Sequence, residues 1–216
     1  MTENTAFFRE VDEDVRRERM ERLWKKHGPI ILGVALLVVL GTAAATYVRS
    51  QQNQKFEAAT TQVAEVLQTL KAENSAEVQD KLVTLAPTLP EGQSAIARLY
   101  VAGLASEGND REKALAQLAD LANDTRIQPL YRDLARLTSI QLRIDSDDAA
   151  KLRTELDPLM AAGQPWRFSA REAAALLAIK SGDTASARDL YEQLKNDADA
   201  PVSIKDRASK LASIFN

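Results

Sequence analysis

Acid–base, metal and nucleophilic chemistry would have to be built in this chain from very few side chains. Its 216 residues include one histidine, His27, and no cysteine. Thiolate catalysis and zinc–thiolate sites are thereby excluded, and any metal set is left with carboxylates alone. Asp12-Glu13-Asp14 and Asp145-Ser146-Asp147-Asp148 are such clusters. Neither has the central glycine and distal glutamate of a calcium loop, so helix capping and solvated surface account for them. A serine or threonine nucleophile needs a base, and His27 lies beside Lys25 and Lys26 in the N-terminal flank, away from any other candidate group. Gly103, Gly108 and Gly163 stand alone and form no phosphate-binding loop. Trp166 and Phe168 open a helix and either face a groove or join the core, the commoner role. No catalytic, metal or cofactor-binding residue follows from this inventory. The expectation is a protein that is not an enzyme and takes no cofactor.

The elements that position these residues are ordered around residues 29–48, PIILGVALLVVLGTAAATYV, which contain no charge in a chain that is 27% charged. A helix of that length matches the roughly 30 Å hydrocarbon core of a bilayer. Nine large aliphatic side chains between Ile30 and Leu40 each favour insertion by about 0.3–0.6 kcal/mol. A transmembrane helix over 29–48 is expected, with Trp24 and Tyr47 at its two membrane interfaces. The alternative is a cleaved signal peptide, for which Ala43-Ala44-Ala45 would supply the small residues. Against it, residues 1–28 are long for a leader and interleave Glu3, Glu10, Asp12, Glu13, Asp14, Glu18 and Glu21 with the basic groups.

Orientation follows from the basic flank Arg16, Arg17, Arg19, Arg22, Lys25 and Lys26, which faces only Arg49 and Lys55 in the first sixteen positions after the span. The positive-inside rule places the N-terminus in the cytoplasm and residues 49–216 on the far side. Residues 1–28 read as a cytoplasmic amphipathic segment, with Phe8, Val11 and Val15, then Met20, Leu23 and Trp24, at helical spacing. They are either a docking helix or a topogenic flank. Net charge is −3, from 28 basic and 31 acidic residues. The balanced flank leaves that deficit on the remainder, which argues against nucleic acid as a partner.

Residues 49–74 are expected to continue as a stalk helix. Phe56, Ala59, Val63, Val66 and Leu70 recur at spacings of three and four and make a possible helix seam. It either packs on the first repeat or joins two copies as a homodimer. From Ser75 onward, apolar-periodic segments alternate with short joints rich in Gly, Pro, Asn and Asp, without a strand pattern, so the class is all-α. Asp110, Asp147 and Asp183 each follow a turn and are expected to cap a new helix, at separations suited to stacked helix–turn–helix units. Residues 75–216 form the helical-repeat domain on this reading, with 201–215 as a closing helix.

The last unit, AREAAALLAIKSGDTASARDLYEQL, resembles a tetratricopeptide repeat through its small residues, Leu176, Gly182-Asp183, Ala187, Tyr191 and Leu194. The unit over about 91–123 fits moderately, and that over about 127–162 poorly, with Asp145-Ser146-Asp147 where a glycine turn belongs. A short charged N-terminal helix, one membrane span and three degenerate repeats are together similar to the ancillary subunit of the bacterial SecYEG translocon. The stretch FREVDEDVRRERMERLWKKHG, residues 8–28, looks like the opening of alphaproteobacterial members of that family. The resemblance covers essentially the whole chain. It implies a single-pass inner-membrane protein with a periplasmic tetratricopeptide-like solenoid, partnered by the SecYEG translocon and periplasmic chaperones, with no contact residue carried across. Two other readings fit an anchored repeat domain. One is an envelope-stress signalling protein whose cytoplasmic helix sequesters a regulator, and the other a subunit of another envelope assembly.

Overall fold

The computed structural model describes residues 37–71 and 74–215. The described residues are helical or in turns, with no strand among them. The chain divides into two compact units, Met1–Lys55 and Phe56–Asn216. In the first, residues 37–55 are helical and every side chain is exposed. Thr42 and Thr46 return their hydroxyls to carbonyls one turn back, at 2.9 and 2.8 Å. Among the described residues no helix is long and apolar enough to cross a membrane. The first eight positions of the apolar run, 29–36, lie outside the described residues.

In the second unit α1, residues 56–68, is helical and tightens into a 3₁₀ turn, Thr69–Lys71. It is followed by α2 (Ser75–Leu85), α3 (Glu91–Glu107), α4 (Arg111–Asn123) and α5 (Pro129–Arg143). Then come α6 (Ala149–Met160), α7 (Arg167–Lys180), α8 (Thr184–Asn196) and α9 (Val202–Ala212). From α2 to α9 each helix packs chiefly on its chain neighbours. Among the described residues the apolar interior is a chain of three clusters with no single centre. Val63 of α1 joins Val78, Leu82, Ala97 and Val101. Ala95 and Ala102 on another side of α3 join Leu118, Leu121 and Ala135. Leu137 and Ile140 of α5 then open the largest cluster, which runs through Leu152, Leu156, Ala174, Tyr191 and Leu194 to Ile204 and Ala208. A helix shared between two clusters is what links one layer of a repeat stack to the next.

The seam residues fall on this first layer. Ala59 and Val63 are buried, Val66 and Leu70 are half-buried against the α2–α3 cluster, and Phe56 is exposed. Val63, Val66 and Leu70 thus pack on α2 and α3 of the same chain. The pair α1–α2 adds a helical hairpin ahead of the three units read from the sequence.

One expected cap is corrected. Asp110 and Asp183 accept from the backbone N–H three residues on, at 3.0 Å each, and cap α4 and α8. Asp147 does not cap α6. Asp148 does, accepting from the Lys151 N–H at 2.9 Å, while Asp147 turns toward Arg143. The cause lies in the joints. At 108–110 and 181–183 the preceding helix ends in a left-handed residue, Asn109 at φ 62° or Gly182 at φ 78°. The next N–H, of Asp110 or Asp183, then reaches back five residues to the carbonyl of Ala105 or Ala178. One aspartate closes one helix with its backbone and starts the next with its side chain. The joint over 144–148 has no left-handed residue, takes two more positions to turn, and moves the cap to Asp148.

Candidate interaction site

The repeat frame is fixed at two equivalent places by an arginine on one helix and an aspartate just past the end of the next. Arg98 of α3 donates to Asp124 at 3.0 Å, and Arg171 of α7 donates to Asp197 at 3.1 Å. Both pairs span 26 positions, and they lie 73 positions apart, the same offset as Asp110 and Asp183. Each aspartate also accepts from the backbone N–H two residues on, from Arg126 at 3.2 Å and Asp199 at 3.0 Å. The carboxylate thereby orders the turn into the following helix while holding the preceding hairpin together. Sequence reading missed this clamp, although the repeated Arg-to-Asp spacing was a usable signal.

Asp124 carries a second guanidinium. The Arg126 side chain donates to both of its oxygens, at 3.0 and 2.9 Å. That bond is the main reason its carboxyl is held far below the usual carboxylate range, with partial burial acting the other way and the Arg126 N–H and Arg98 adding to the lowering. Arg126 itself remains open to solvent. Beside this clamp a cavity of about 430 Å³ is lined by Val83, Pro87, Leu89, Glu91, Ser94 and Gln117 among others. A second, of about 620 Å³, lies over α7 between α6 and α8, with Ala174 and Ala178 beneath and Arg153, Asp183 and Asp189 at its edge.

The α3 face between the first two clusters is apolar and uncovered. Ile96 and Tyr100, one turn apart, are exposed, and at Gly103 an added Cβ would meet nothing within 4 Å. Leu130 of α5 and Leu176 of α7 are exposed as well. Leu176 belonged to the repeat signature in the sequence and is not a core residue. Phe168 is buried, with the Arg167 guanidinium 4.0 Å above its ring. Trp166 is half-buried and donates its indole N–H to the Leu130 carbonyl at 2.8 Å. The aromatic pair therefore serves packing.

The basic flank Arg16, Arg17, Arg19, Arg22, Lys25 and Lys26, with Trp24, lies outside the described residues. Tyr47 is helical and exposed. Among the described residues no group of three or more acidic, histidine or cysteine side chains is arranged to hold a metal ion.

No curated protein and no solved structure matches the chain. A family model described as a tetratricopeptide repeat-like domain matches residues 21–211, most of the chain and all of α1–α8 as described above. With stacked antiparallel helices, shared-helix clusters and an aspartate-capped hairpin recurring at a 73-residue offset, the chain belongs to the tetratricopeptide repeat-like domain family.

Proposed function

We propose that this protein is a membrane-anchored helical-repeat scaffold that associates with the Sec translocon and links it to periplasmic chaperones or emerging secreted clients. The observation that carries the reading is the pairing of a repeat domain, a fold used for protein–protein contact, with the uncharged run 29–48 and its asymmetric basic flank. On this reading the N-terminus is cytoplasmic and the repeat domain periplasmic. Anchoring raises the effective concentration of the repeat surface next to the channel, so weak contacts at exposed side chains such as Ile96 and Tyr100 suffice. The resemblance of residues 8–28 to the opening of the translocon subunit family supports the choice of channel.

The intact chain, solubilised in mild detergent and recovered through a C-terminal tag, should bring translocon components with it. Recovery of a cytoplasmic transcription regulator in their place would sink the proposal and favour the signalling reading. Reporter fusions after residue 60 and at residue 216 should both report the extracytoplasmic side. A mature N-terminus near Thr46 would replace the anchor with a cleaved leader.

A further inference from the structure

Three independent departures coincide at the joint between α5 and α6. Of the consecutive helix pairs from α2 to α9, α5 and α6 pack least extensively, although helices of one hairpin are the closest partners elsewhere in the stack. The joint over 144–148 is longer than those at 108–110 and 181–183 and lacks the left-handed residue that locks them. The arginine-to-aspartate clamp of the flanking units is also missing. Arg136, on the corresponding stretch of α5, bonds to Asp133 on its own helix and to the Ala122 carbonyl behind it, and so makes no bond to α6.

The polar contacts between α5 and α6 gather on Arg143. Arg143 donates to both oxygens of Glu155 on α6, one at 3.2 Å, and reaches Asp147 at 3.4 Å. The joint is then tied outward in both directions: Arg111 of α4 donates to the Ser146 hydroxyl, and Lys180 of α7 pairs with Asp145. Those outer ties are exposed and contribute little. An apolar contact accompanies the Arg143 bonds, where Leu152 and Leu156 of α6 share a buried cluster with α5. Leu137 and Ile140 lie in the largest cluster, and the Trp166 indole holds the Leu130 carbonyl.

We propose that the α5–α6 joint is a latched hinge. The part ending in α5 and the part formed by α6–α9 stay joined through the Leu137–Ile140 cluster, and the joint opens when Arg143 releases Glu155. Opening changes the relative placement of the exposed apolar side chains on α3 and α7. This follows the general pattern in which hinge positions sit at element ends and absorb the backbone change. It stands on the packing alone and does not depend on where the protein resides or what it binds.

The test uses the full-length chain in mild detergent, where the absence of native cysteine lets paired spin labels be introduced cleanly. Labels at Ala116→Cys and Arg188→Cys span the joint. Thr84→Cys with Ala116→Cys, and Lys151→Cys with Arg188→Cys, report each part alone. In Arg143→Ala, and in the milder Glu155→Gln, the distance distribution across the joint should broaden while both internal distributions keep their wild-type width. An unchanged distribution across the joint in both variants overturns the hinge. Equal broadening of the internal pairs does so too, since that is general loosening.

Discussion

Asp124 shows how a single carboxylate can set the order of a helix joint. It accepts from Arg98, from the Arg126 side chain and from the Arg126 backbone, and its own side chain is only 12% exposed. Replacing it with alanine leaves the half-buried Arg98 guanidinium without its acceptor. The expected cost is about 1–3 kcal/mol in urea unfolding followed by circular dichroism. Because its folded pKa is lowered, the stabilisation is complete above the carboxylate's ordinary value of about 4 and is lost as pH falls below it. Asp124→Asn should therefore show a shallower loss of stability between about pH 4 and pH 2 than the natural chain. The corrected cap gives a second contrast. Asp148→Ala should destabilise by about 1 kcal/mol through the orphaned N–H groups of α6, whereas Asp147→Ala leaves the cap in place and should cost less.

Helices in this chain take their meaning from which neighbours they touch. Small residues at α3 and α7, among them Ala97, Ala102, Ala174 and Ala175, are buried and let those helices lie close to partners on two sides. Pro129 opens α5 at the position where its missing N–H costs nothing. Asn74 accepts from the Glu77 backbone N–H at 2.9 Å and starts α2, and its side-chain amide donates to the Glu77 carboxylate at 2.9 Å. The far stretch of α1 is the element whose role changes most. It is a layer of the repeat stack, with Val63 inserted between α2 and α3. Val63→Ala should lower the unfolding free energy of the repeat unit by about 1.5–3 kcal/mol, from two lost methyl groups plus the space left behind. Phe56→Ala, at an exposed position of the same helix, should stay within about 0.5 kcal/mol of the natural chain. Equal effects would show that this part of α1 does not pack on the repeats.

At the scale of the molecule the three sequential clusters make stability a matter of neighbours, so damage to one layer is felt mainly by the adjacent ones. The all-α class, the caps at Asp110 and Asp183 and the closing helix α9 were legible in the sequence. Each depends on local periodicity or on a residue type at a turn, and such signals survive in a linear string. Asp148 in place of Asp147 was not legible, because the register of the cap depends on whether the preceding helix ends in a left-handed residue. Leu176 belongs to the repeat signature yet is exposed, because periodicity assigns a face to a helix without saying which faces meet a neighbour. The Arg98–Asp124 and Arg171–Asp197 clamps, the use of Val63 inside the stack and the thin α5–α6 contact were decided only when distant segments were packed together. Helix formation is settled within a few residues, by hydrogen bonds and caps. Which helix face is covered, and how firmly, is settled by side chains tens of positions apart competing for the same space.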